Sequence, residues 1–151
     1  TKSPVHLCNS REDFYKIFDE QRQRLGVEHV DFYLLHALSK DRYTDKVLAY
    51  DLLSALDDLK QRGLVGKVGF SFHDSYEVFE EILNAYDWDF CQIQLNYMDI
   101  EHQAGIKGYE LATSGPDSWP PAERDYWQMC QKKFGKHLMM FILIGQMRVG
   151  H

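Results

Sequence analysis

With 151 residues, 44% hydrophobic and 14% aromatic, the chain has material for one globular unit with a real core and too many aromatics for extended disorder. A formal charge of -6, with no basic cluster longer than Gln131-Lys132-Lys133, argues against a nucleic-acid surface. The longest apolar run, LMMFILI at 138–144, is too short for a membrane helix, and three widely spaced cysteines (Cys8, Cys91, Cys130) speak against a disulfide framework and for a reducing, cytoplasmic compartment.

Ser10-Arg11-Glu12-Asp13 predicts a helix start, with Ser10 as N-cap and an acid three residues on. Phe14, Ile17, Phe18 and Leu25 then share one helical face, and Gly26 supplies a left-handed stop. Residues 30–35 read as a short apolar strand. A second helix over about 46–62 puts Leu48, Leu52, Leu53, Leu56 and Leu59 on its inner stripe, and Gly63 ends it. Residues 67–71 form another strand. Asp74-Ser75-Tyr76-Glu77 opens a third helix whose Val78, Phe79, Ile82, Leu83 and Tyr86 face inward. DFCQIQLNY, at 89–97, supplies the next strand.

After Ser114 the character changes. GPDSWPP holds three of the chain's four prolines and interrupts the pattern. A helix over 122–134, with Tyr126, Trp127, Cys130 and Phe134 on one side and Gly135 as its stop, leads to 138–144 as a fifth strand.

Strand and helix alternating at this spacing imply parallel βαβ units, hence an α/β fold. Each strand turns polar at its C-terminal end: Leu35 is followed by His36, Phe70 by Ser71, Ile93 by Gln94 and Asn96. In a parallel sheet those ends lie on one side, where α/β folds bind ligands. His36 therefore has two readings. It caps a core strand by bonding nearby backbone, or the strand delivers it into a site.

Several stretches together resemble the aldo-keto reductase family. RLGVEHVDFYLLH (24–36) is similar to a family signature in which a strand ends on a catalytic histidine. LKQRGLVGKVGFS (59–71) resembles a Gly-Lys strand segment ending on serine, and DFCQIQLNY resembles the strand that carries a nicotinamide-contacting glutamine. GFSFHDSYEVF and AYDWDFCQIQLNYMD look closest to the bacterial and archaeal branch that often carries a ferredoxin-like cluster domain.

The resemblance implies a partial (β/α)8 TIM barrel of about four to five parallel βα units. Residues 1–114 would be the central part of the barrel, and 115–151 a divergent tail. It also implies hydride transfer between NADP, or NAD, and a small-molecule carbonyl, without metal. His36 would donate a hydrogen bond to the carbonyl oxygen as charge develops there. Lys2, in a Thr-Lys strand end, would tune a tyrosine acid; otherwise it is a solvated lysine near a chain start. Ser71 and Gln92 would hold the nicotinamide carboxamide.

The departures matter too. The residue after Ser71 is usually asparagine in the family; here it is Phe72, and His73 either substitutes or is a loop residue. The family's aspartate and tyrosine would fall before Lys2. A barrel of this type needs about 250 residues, so the expectation is a fragment of a larger reductase, inactive alone, with edges open to association. Two alternatives stand beside it: a non-catalytic module binding nucleotide or a partner, and a metal-dependent hydrolase using His36, His73 and Asp99 or His102.

Overall fold

The computed structural model describes residues 1–95, 101–113 and 138–143, which divide into two units between Ser71 and Phe72. The first unit contains β1 (Lys2–Ser3), α1 (Arg11–Leu25), β2 (Val30–Leu38), a short α2 (Lys40–Arg42), α3 (Leu52–Gln61) and all of β3 (Val65–Phe72) but its last residue, which belongs to the second. α1 begins and ends as the sequence predicts. Ser10 Oγ accepts the Asp13 N–H at 3.2 Å, while the Asp13 carboxylate accepts from the Asn9 N–H at 2.9 Å. At the other end Gly26 stands at φ 68°, and the Val27 N–H reaches the Arg22 carbonyl while the Gly26 N–H reaches Gln23, both at 3.2 Å. That pair closes the last turn as a Schellman motif, which needs the left-handed residue that glycine supplies. Phe14 and Phe18 are buried, but Leu25 is 57% exposed, because it lies in the last turn where the chain leaves through Gly26.

β2 is longer than expected. It runs three residues past Leu35, through His36, to Leu38. Tyr33 packs edge-on against Phe14 and Phe18 with ring centroids 6.1 and 5.0 Å apart, so Tyr33 and Leu35 face α1. Alternation along the strand then puts Phe32, Leu34 and His36 on the opposite face. β1 pairs parallel to β2, Lys2 with Leu34 and Ser3 with Leu35, so Lys2 shares the face of His36.

β3 lies beside β2. The Val30 N–H bonds the Leu64 carbonyl at 2.9 Å where both strands enter, and Ala37 bonds Ser71 where both leave, so the pair is parallel. Gly66 is required here by space. A Cβ at that position would stand 2.8 Å from the Asp31 carbonyl oxygen and 3.3 Å from His29 Nε2. Because the nearer atom is backbone in a paired strand, Gly66→Ala is expected to cost about 1–3 kcal/mol, read from the urea midpoint.

The predicted helix over 46–62 is corrected into two pieces. A π-helical segment, Tyr43–Leu48, precedes α3, and Asp51 at φ 53° separates them. The wider π turn shifts the helical phase, so Tyr43 and Val47 are buried while Leu48 is 50% exposed. In α3 the buried stripe is Leu52, Ala55, Leu56 and Leu59, with Leu53 only half-buried.

The hydroxyls of Ser3 and Tyr33 are both buried on the α1 face, and neither makes a hydrogen bond of good geometry. Burial raises the Tyr33 phenol above its usual range, an effect its proximity to Ser3 partly offsets. Tyr33→Phe is therefore expected to be neutral or stabilising by up to about 1 kcal/mol, since the ring packing stays and a poorly paired buried hydroxyl goes. A melting temperature lowered by this change would contradict that account.

The second unit holds α4 (Tyr76–Asn84), β4 (Phe90–Leu95), α5 (Gly105–Thr113) and β5 (Leu138–Leu143). Phe79, Ile82 and Leu83 are buried as predicted, and Val78 and Tyr86 are half-buried. The buried Trp88 closes the turn after α4 by donating its Nε1–H to the Ile82 carbonyl at 2.8 Å. α5 has no counterpart in the sequence reading, because Gly105 and Gly108 weaken the helical pattern. It packs on β4 and α4, and a Cβ on Gly108 would come within 3.3 Å of the Phe79 ring.

β5 lies within the predicted fifth strand, but it pairs antiparallel to β4, Phe90 with Leu143 and Leu95 with Leu138. The chain therefore enters β5 at the end where β4 leaves. A further parallel βα unit would have entered at the other end, and the expectation of a fifth parallel strand is corrected accordingly. The predicted helix over 122–134 and its Gly135 stop lie outside the described residues.

Candidate functional site

Because β2 and β3 are parallel, His36 and Ser71 reach the same end of the first unit. Ser71 is fully buried, and its Oγ accepts the Ala37 N–H at 2.7 Å. An Ala37–Ser71 bond spans 34 positions of sequence and ties the residue after His36 to the neighbouring strand end. The hydroxyl proton of Ser71 remains a donor, since the bond to Ala37 uses only an oxygen lone pair.

Ala37 stands at φ 56°, in the left-handed region. For an alanine this costs on the order of 1–3 kcal/mol and persists only where the surroundings hold it. They do so on both sides, since Arg42 Nη1 donates to the Ala37 carbonyl at 2.7 Å. Arg42 is itself set by a small cap: Ser39 Oγ accepts the Arg42 N–H at 3.5 Å, and the Ser39 carbonyl accepts the Tyr43 N–H at 2.9 Å.

His36 is half-buried on the face opposite α1. Lys2 is exposed on that same face, opposite Leu34, and so about 6.6 Å along the strand direction from His36. The Lys2 carbonyl accepts from Gln21 Nε2 at 2.8 Å, which fixes the β1 backbone to α1. The first unit thus brings together three of the four predicted site residues. An imidazole, an ammonium and a buried hydroxyl stand on two adjoining strand pairs, a set suited to polarising an oxygen and binding an amide.

Gln92, the fourth, belongs to the second unit. It is 6% exposed on β4, between the fully buried Cys91 and Ile93. Phe72 and His73 also resolve there. Phe72 is buried and meets Phe79 edge-on at 5.3 Å, so packing on α4 occupies the position after Ser71. His73 Nδ1 lies 3.3 Å from Gln103 Oε1.

Among the described residues, no group of three or more His, Cys, Asp or Glu side chains is arranged to hold a metal ion. Asp99, one of the ligands the hydrolase reading named, lies outside them. Burial pushes the Cys8 and Cys91 thiols up, away from the thiolate form a nucleophile needs. No helix among the described residues is long and apolar enough to cross a membrane.

Arg42 and the backbone of Ala37 escaped the sequence reading, which ended the strand at Leu35. The one signal was Ser39, a good N-cap residue three positions before Arg42. A family model for the aldo/keto reductase family matches residues 1–112. No curated protein matches the chain.

Proposed function

Since the chain belongs to the aldo/keto reductase family, whose members reduce small-molecule carbonyls with NAD(P)H, we propose that its strand ends carry the oxygen-holding and nicotinamide-holding groups of a hydride-transfer site. The observation that carries this reading is the bond from the Ala37 N–H to the buried Ser71 Oγ at 2.7 Å. It fixes two strand ends that the sequence reading assigned to substrate and cofactor.

His36 donates a ring N–H to the carbonyl oxygen and stabilises the negative charge that grows there, a role in which a fixed donor outperforms water. Lys2, on the same face, adds positive charge near that oxygen and its proton donor. Ser71, holding the Ala37 N–H through its oxygen, turns its own proton toward a carboxamide. Gln92 offers both a donor and an acceptor to the same kind of group. The Ser71 hydroxyl and the Gln92 amide each suit a carboxamide such as that of a nicotinamide, whose part when bound is to supply the hydride. Either NADP or NAD satisfies these contacts, because none of them touches the adenosine end.

The test is a titration of the protein with NADPH and with NADH, followed by fluorescence and melting temperature. Saturable binding of one or both is expected, weakened by Gln92→Ala. Absence of binding to either would falsify the cofactor assignment. With a segment carrying the family's aspartate and tyrosine joined before Lys2, oxidation of NADPH dependent on an added aldehyde then separates a reductase from a module that binds nucleotide only.

A further inference from the structure

We propose that Arg42 is a positioning residue for His36, acting through the left-handed backbone of Ala37. The inference deepens the function proposed above and rests on it only for what His36 does. Two peptide planes flank Ala37. The first, shared with His36, is held through the Ala37 N–H by Ser71 Oγ at 2.7 Å; the second is held through the Ala37 carbonyl by Arg42 Nη1 at 2.7 Å. Relaxing Ala37 from φ 56° to the extended region would turn one plane against the other and break one of these bonds. An alanine does not stay left-handed unaided, so the two side chains together keep it there.

The plane gripped by Ser71 carries the carbonyl of His36 and so anchors the backbone from which the His36 Cα–Cβ bond projects. Arg42 never needs to touch substrate. Its planar guanidinium, brought in by the Ser39 cap, locks the far side of the hinge on which the imidazole is aimed. Ser71 accordingly serves twice, as a ligand-facing hydroxyl and as the anchor of the strand end beside it.

A double-mutant cycle with a spectroscopic readout tests this. The position of the His36 ring in a ¹H–¹³C correlation spectrum is recorded for the wild type, Arg42→Ala, Ala37→Gly and the double variant. Arg42→Ala is expected to displace or broaden the His36 signal. Ala37→Gly is expected to leave it in place, because glycine adopts the left-handed conformation without help. In the Ala37→Gly background, removing Arg42 should then shift the signal much less than in the wild type.

A purely structural Arg42 would lower the melting temperature equally in both backgrounds and leave the His36 signal of the folded protein where it was; that result overturns the proposal. If Arg42→Ala alone does not fold, the double variant decides: a native His36 signal supports the proposal, and a displaced signal or failure to fold overturns it. NADPH titration of the same samples keeps the two readings apart. Loss of cofactor binding in the wild type would sink the proposed function while leaving the Arg42 cycle intact.

Discussion

In a full-length reductase carrying this segment, His36→Ala is expected to lower kcat/KM for carbonyl reduction by about 10²–10³-fold while cofactor affinity changes little. The loss is that of one preorganised donor to an oxygen that becomes anionic only in the transition state, so it appears in kcat more than in KM. His36→Gln, which keeps a donor on a side chain of similar reach, should fall between the two. Initial rates with NADPH and an aldehyde, beside a direct cofactor titration, give both quantities. Unchanged kcat/KM in the alanine variant would return His36 to the role of a strand-end residue bonding nearby groups.

The largest loss of stability is expected for Phe18→Ala, about 3–5 kcal/mol. Phe18 is 1% exposed, meets the Tyr33 ring at 5.0 Å and carries the Arg22 guanidinium 5.3 Å above its own ring. Truncation would open a cavity between α1 and β2 and free Tyr33 on one side. Against a total stability of about 5–15 kcal/mol for a typical domain, that is enough to populate unfolded chain near room temperature. Urea unfolding followed by circular dichroism measures it, and a cost below about 1 kcal/mol would mean that the α1–β2 seam is not a core contact.

Phe18 and His36 are marked in the sequence by different signals. Phe18 follows from helical spacing alone, since α1 is bounded by Ser10 and Gly26 and its inner face by periodicity. His36 is marked by an apolar run that breaks at a polar residue, and the family resemblance implies its role. In both cases the signal lies within a few residues of the position it describes. The same holds for Phe79, Ile82 and Leu83, which a helix opened at Ser75 turns inward in consecutive turns.

By itself the sequence determined the α/β alternation, the ends of α1 and the polar character of the strand ends, because caps and periodicities act over one or two turns of chain. Only the tertiary structure decided that Val47 and not Leu48 enters the core, that β5 runs antiparallel to β4, and that β2 continues through a left-handed Ala37. Those outcomes depend on groups far apart in sequence. Ser71 holds the Ala37 N–H across 34 positions, and a backbone conformation unfavourable for alanine alone becomes stable only when the folded chain delivers that oxygen to it.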